Sequence, residues 1–271
     1  MQSATAREVL AFYAEAGVDA PVGDEPVNRF APEANEPARA APKFAMRAPE
    51  IKSAPSPLPG NIAPPAPDVA AMEAREAVKS VRTLEELRDV LARFEGCALR
   101  ATATQLVFAD GNPEARVMFV GEAPGRDEDI EGLPFVGRSG KLLDRMMAAI
   151  GLDRTQAYIA NIIPWRPPGN RTPTPQESQI CLPFIRKQIE LVDPDVLVCL
   201  GGPSATTLLD IKEGITKSRG RWVTYDTGKR EIRAVPTFHP AFLLRSPLQK
   251  RLAWRDLLAV KKALGESTLT S

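Results

Sequence analysis

Short apolar runs alternate with amphipathic stretches along the last two-thirds of the chain. Runs at 116–120, 158–163, 196–200 and 232–237 read as strands covered on both faces. Between and after them, residues 139–150, 175–191, 203–209 and 249–264 carry apolar side chains at helical spacing. This alternation predicts an α/β fold with a short, mainly parallel sheet between helices. Ligands of such sheets sit in the loops that leave the strand C-termini. Here those loops are 121–125, 164–174, 201–204 and 239–247.

The chain before this region is different. Residues 4–18 predict a short helix with Val9, Leu10, Phe12, Tyr13 and Ala16 towards one side. Twelve of the 26 prolines fall between Pro21 and Pro67, where large apolar residues are few. Such a stretch buries too little surface to offset its ordering entropy, so residues 21–67 read as a disordered linker. Residues 68–96 predict a helical lead-in. Its second helix opens on Thr83-x-x-Glu86, a capping box, and sets Leu84, Leu87, Leu91 and Phe94 on one face. The expected organisation is a helix within 1–20, a linker over 21–67 and a domain over 68–271 whose α/β core starts at 97.

Charge alters this picture little. Thirty-five Lys and Arg against 34 Asp and Glu leave +1 overall, but residues 1–96 carry −4 and residues 97–271 carry +5. The C-terminal part is thus compatible with a polyanion. The sequence offers no apolar run of membrane-spanning length, which predicts no membrane association. Three widely spaced cysteines, Cys97, Cys181 and Cys199, argue against a disulfide framework and for a reducing, cytoplasmic setting. A single histidine, His239, excludes a multi-histidine metal site.

Two loops carry candidate chemistry. Gly121-Glu122-Ala123-Pro124-Gly125 follows the first strand, and Gly132-Leu133-Pro134-Phe135-Val136-Gly137 comes soon after. These glycines do not match nucleotide-binding spacings and are compatible with a plain tight turn. Glu122 says more, since a carboxylate at the end of a parallel strand stands at the ligand crevice; a solvated acid is the plain alternative. His239 opens the last loop, HPAFLLRSP. A lone histidine is more often structural than catalytic, but this one falls at the mouth opposite Glu122. Leu243 and Leu244, followed by Arg245, Lys250, Arg251 and Arg255, suit an apolar wedge flanked by phosphate contacts; core packing of the leucines is the alternative.

Together these segments resemble the uracil-DNA glycosylase superfamily, most closely its family 4, over about Phe94 to Trp254. The resemblance rests on Glu122 in GEAPG, Phe135 in PFVG, Asn161 in AYIANIIPWRPPGNRTPTP and His239 in HPAFLLRSP, in that order. It implies a three-layer α/β/α sandwich and a monofunctional enzyme that flips uracil out of DNA and leaves an abasic site. By the same resemblance, Glu122 and His239 are catalytic, and Ala123, Phe135 and Asn161 join them around the uracil. Ser139, Leu244, Arg245 and Lys250 are then the residues that meet DNA.

Family 4 members usually bind an iron–sulfur cluster through four cysteines. Here the corresponding positions are Phe94, Cys97, Trp165 and Cys181, so two ligands are large aromatics. Four-cysteine ligation cannot be completed, and no cofactor is expected. Cys199, within the third strand, reads as core. A related branch that crosslinks to DNA needs a second histidine in an inserted loop, which this sequence lacks. Three further readings stand beside uracil excision. One is a glycosylase for another deaminated base such as hypoxanthine, and one is a non-catalytic damage-binding module. Redox or electron transfer, the third, fails on the cysteine count. A monomer with a protein partner for the N-terminal helix completes the expectations.

Overall fold

The structure is a computed structural model and describes residues 67–266. The expected helix over 4–18 and all but the last residue of the expected linker over 21–67 lie outside the described residues; that last residue, Pro67, opens a helix instead. Helices α1 (Pro67–Lys79) and α2 (Leu84–Arg93) come first. The capping box of α2 forms: Thr83 Oγ1 accepts from the Glu86 amide at 3.1 Å, and the Glu86 carboxylate accepts from the Thr83 amide at 3.3 Å. Leu87 and Leu91 are buried beneath it.

Six strands follow: β1 (Asp110–Gly111), β2 (Val117–Gly121), β3 (Ala157–Asn161), β4 (Val196–Leu200), β5 (Val223–Asp226) and β6 (Glu231–Thr237). They form one sheet in the order β1-β3-β2-β4-β6-β5. The inner four run parallel, and β1 and β5 are antiparallel edges. The helices are α3 (Arg126–Glu131), α4 (Arg138–Ala149), α5 (Pro175–Val192), α6 (Gly202–Leu209), α7 (Ile215–Ser218), α8 (Pro240–Arg245) and α9 (Lys250–Glu266). No helix among the described residues is long and apolar enough to cross a membrane.

Strand alternation builds two cores. Met118 and Val120 face one that includes Leu87, Leu91, Ile185 and Ile189, from α2 and α5. Val117 and Phe119 face the other, with Leu143, Met147, Leu257 and Val260 from α4 and α9. The architecture is therefore the expected α/β/α sandwich. Its four inner strands are those the apolar runs predict, with β2 ending at Gly121 and β3 at Asn161.

Three features depart from expectation. The edges β1 and β5 are two and four residues long and partly exposed, so neither carries an apolar run. The segment expected as a loop over 239–247 contains α8, capped by His239, before a 3-10 turn at Pro247–Gln249. A short helix, α3, also occupies the stretch between the two glycine-rich segments.

This winding positions a site. The β2–β3 connection runs through α4 on one face, and the β3–β4 connection runs through α5 on the other. Strands β3 and β4 thus flank β2 on its two sides with their connections on opposite faces, which opens a crevice at its C-terminal end. Register pairs Gly121 with Asn161 and Leu200 with Thr237, which levels the strand ends around the opening. Asp256 braces the far side. Buried on α9, it accepts from Thr237 Oγ1 at 2.7 Å and from Arg219 Nε at 2.8 Å, tying α9 to the end of β6.

Candidate active site

A cleft of about 610 Å³ opens at this crevice. Glu122, Phe135, Asn161 and His239 all line it, although 117 residues separate the first from the last. Glu122 stands in the loop after β2, Asn161 is the last residue of β3, and His239 caps α8 just beyond β6. Phe135 comes from the segment between α3 and α4. Ala123 and Ser139 line the cleft too.

Asn161 is buried, and its Oδ1 is the one buried side-chain oxygen or nitrogen among the described residues without a hydrogen-bond partner. Leaving such an acceptor bare costs about 1–3 kcal/mol unless a ligand supplies a donor. Gly121 makes room beside it: a Cβ there would overlap Asn161 Oδ1 and lie 2.6 Å from Phe135 Cζ. The Phe135 ring lies 5.5 Å from that of His239, tilted by 33°. An aromatic face and an unpaired amide oxygen thus border the same space.

Glu122 is half-buried, and burial raises its pKa with no cation alongside to oppose the shift. His239 moves the other way: burial, then the charge of Arg245, lower its pKa to about 4. Its Nδ1 accepts from the Ala241 amide at 3.1 Å, so in the neutral ring the proton sits on Nε2. The cleft therefore offers a neutral N–H donor at one side and a carboxylate with reduced acidity at the other.

Among the residues expected to meet DNA, Ser139 and Arg245 line the cleft. Lys250 is exposed at the start of α9, and Leu244 is half-buried. Leu248, which the sequence reading passed over, is 86% exposed in the turn between α8 and α9. Asn170 and Arg171 also border the cleft. Their signal was in plain view, inside the RPPGNRTP stretch. Arg171 is held by both Glu177 oxygens, at 2.9 and 2.6 Å.

Similarity to known proteins covers the sheet and the cleft. The model of the uracil DNA glycosylase superfamily matches residues 108–258, more than half of the chain. The chain belongs to the uracil-DNA glycosylase superfamily. A type-4 uracil-DNA glycosylase of Thermotoga maritima is 43% identical over 169 residues, covering 60% of this chain and 86% of that protein. Another, of Archaeoglobus fulgidus, is 40% identical over 194 residues, covering 69% and 98%. A third, of Saccharolobus solfataricus, is 38% identical over 192 residues, covering 69% and 89%.

Phe94, Cys97, Trp165 and Cys181, the positions that the resemblance sets against family 4 cluster ligands, are all buried in one core. Cys97 Sγ and Cys181 Sγ lie 4.0 Å apart. The Cys181 thiol donates to Cys97, which lowers the Cys97 pKa and, together with burial, raises that of Cys181 well above its ordinary value. Phe94 meets Phe184 edge-on at 4.9 Å, and Trp165 is 2% exposed. Two thiols and two aromatic rings, a phenyl and an indole, do not fit a cluster that needs four thiolates. No group of three or more His, Cys, Asp or Glu among the described residues could hold a metal ion. Cys199 is core, its thiol pushed up to about 12 by burial.

Proposed function

We propose that this protein is a DNA repair enzyme that hydrolyses the N-glycosidic bond of uracil in DNA and leaves an abasic site. The observation that carries the reading is the unpaired Asn161 Oδ1 beside the Phe135 ring. Uracil presents an N3–H that this oxygen can accept and an O4 that the amide N–H can donate to. Cytosine presents an acceptor at N3 and a donor at C4, which leaves the same amide mispaired. A base inside a duplex cannot reach such a site, so the nucleotide is flipped and stacked on Phe135, with Ala123 at its edge.

The remaining chemistry divides by charge. As the C1′–N1 bond breaks, its electron pair leaves with the base, and the neutral His239 Nε2–H stabilises the anion at O2. The sugar becomes cationic. Glu122 as carboxylate favours that cation and takes a proton from the water whose oxygen joins C1′. Ser139, Leu244, Arg245 and Lys250 face the DNA in this reading, and exposed Arg251 and Arg255 continue the positive run along α9. The protein works as a monomer in the cytoplasm, on nucleoid DNA and without a cofactor. Residues 1–20 serve to dock a protein partner.

The test is a single-turnover assay at enzyme excess on uracil-containing oligonucleotides, read by alkaline cleavage at the abasic site. Release of free uracil is expected, with Glu122→Ala slowing the chemical step more than it weakens DNA binding. Uracil left intact would overturn the reading, and faster release of hypoxanthine from matched oligonucleotides would reassign the substrate.

A further inference from the structure

Phe135 occupies an unfavourable backbone conformation. Its φ is 55°, in the left-handed region that an aromatic residue avoids because its Cβ crowds the following carbonyl. Something must hold it there, and the hydrogen bonds of its own segment show what does. The carbonyls of Pro134 and Phe135 both accept from the Arg154 guanidinium, the first from Nη1 at 3.2 Å and the second from Nη2. The next two amides, of Val136 and Gly137, both donate to Glu128 Oε1, at 3.1 and 3.0 Å. A cation thus takes the two carbonyls and an anion takes the two amides, on consecutive residues.

Both grips are themselves anchored. Glu128 is 7% exposed on α3, and its second oxygen accepts from the Gly125 amide at 3.1 Å, joining the Glu122 loop to the Phe135 segment. Arg154 precedes β3 and is fixed by Asp110 on β1 and by Asp144 on α4, the latter at 2.8 Å from Nε. A close approach completes the clamp: a Cβ on Gly140 of α4 would overlap the Phe135 carbonyl. Among the described residues, the protein groups that Arg154 and Glu128 bond in the active-site region are backbone atoms of residues 125 and 134–137, not Asn161 or His239.

We propose that Glu128 and Arg154 are positioning residues that fix the Phe135 ring as the platform for the flipped base. The inference rests on the uracil-excising reading above. The clamp acts through the ring, so its effect on excision depends on the ring being present. Held charge on both sides also keeps the ring in place before substrate arrives, which removes an ordering cost from the step that seats the base.

A double-mutant cycle tests this on the full chain, with two readouts: the single-turnover rate and inhibition by free uracil. Arg154→Met keeps most of the side-chain volume and removes the fork. It is expected to lower rate and uracil affinity by about 10- to 100-fold, the scale set by displacing a reacting group by about 1 Å. In a Phe135→Ala background the same change should cost less than about threefold more, because the group it positions is gone. Arg154→Lys, which restores charge without two-carbonyl reach, should not rescue. Asp144→Asn loosens Arg154 from its far side and should give a smaller loss in the same direction, with the fold retained. Equal losses in both backgrounds would overturn the proposal, as would a fall in melting temperature with unchanged rate and uracil affinity below it. Wild-type protein that excises no uracil would overturn the underlying reading and this inference together; additive losses in an active protein overturn this inference alone.

Discussion

Trp165→Ala tests whether apolar packing alone holds together the core around Phe94, Cys97, Trp165 and Cys181. Trp165 is 2% exposed and shares its core with Phe94, Cys97 and Cys181. A buried aromatic removes about 150–250 Å² from water, and at about 25 cal/mol per Å² that is worth roughly 4–6 kcal/mol. Alanine retains part of this, and the core relaxes only in part around the hole, so the expected loss is about 3–5 kcal/mol. The indole N–H adds no hidden penalty, since Asn161 Oδ1 is the one unpartnered buried polar side-chain atom among the described residues. Urea unfolding of the full chain should be followed by circular dichroism, because the variant removes one of three tryptophans and alters the fluorescence baseline. With a slope of about 2 kcal/mol per molar urea, the midpoint should fall by roughly 1.5–2.5 M. A loss below about 1 kcal/mol would refute the packing argument. So would stoichiometric iron, with the visible absorbance of a cluster, in wild-type protein purified without oxygen.

Three other outcomes follow from the same geometry. Burial raises the Glu122 pKa, and in the proposed reaction the carboxylate is the working form, so excision should fall on acidification with an apparent pKa above the ordinary glutamate value of 4.5. Glu122→Gln should lower the rate by about 10²–10⁴-fold and abolish that limb, and a limb that persists assigns it to another group. Arg245→Ala and Leu248→Ala should each slow excision from duplex DNA more than from single strands, where no stack must be filled; equal losses on both substrates contradict a wedge. Asp256→Ala should cost about 3–5 kcal/mol in urea unfolding, because it strands Arg219 beside the core; a change below about 1 kcal/mol contradicts that account.

The parts of the fold legible from sequence are those where one local pattern has one physical solution. Strands β2, β3 and β4 are buried at every position, and only a continuous apolar run fits there. The edges β1 and β5 have no such requirement and left no trace. Glu122 and His239 were legible because strand ends in a parallel sheet are where ligands meet the chain. Asn161, also at a strand end, came from the motif rather than from the residue alone. Arg154 had no local signal. Its partners Asp110, Asp144, Pro134 and Phe135 are 44, 10, 20 and 19 residues away, so no short window along the chain contains them all. Glu128 was nearer to view, three residues after Gly125 at the opening of a helix, but Val136 and Gly137 appear as its partners only in the folded chain.

The opposite pKa shifts of Glu122 and His239 have one main cause, and it bears on how the base departs. Desolvation leads both shifts and favours the neutral form of each group. With a pKa of about 4, His239 carries no charge at neutral pH, so in the proposed reaction it would meet the departing base as a hydrogen-bond donor and not as a cation. In that proposal the base leaves as an anion held by a dipole, in a site where low polarity makes each dipole count for more than in water. Arg245 is the second cause of the His239 shift and also lines the cleft. Its positive charge keeps the ring neutral from a position suited to a phosphate.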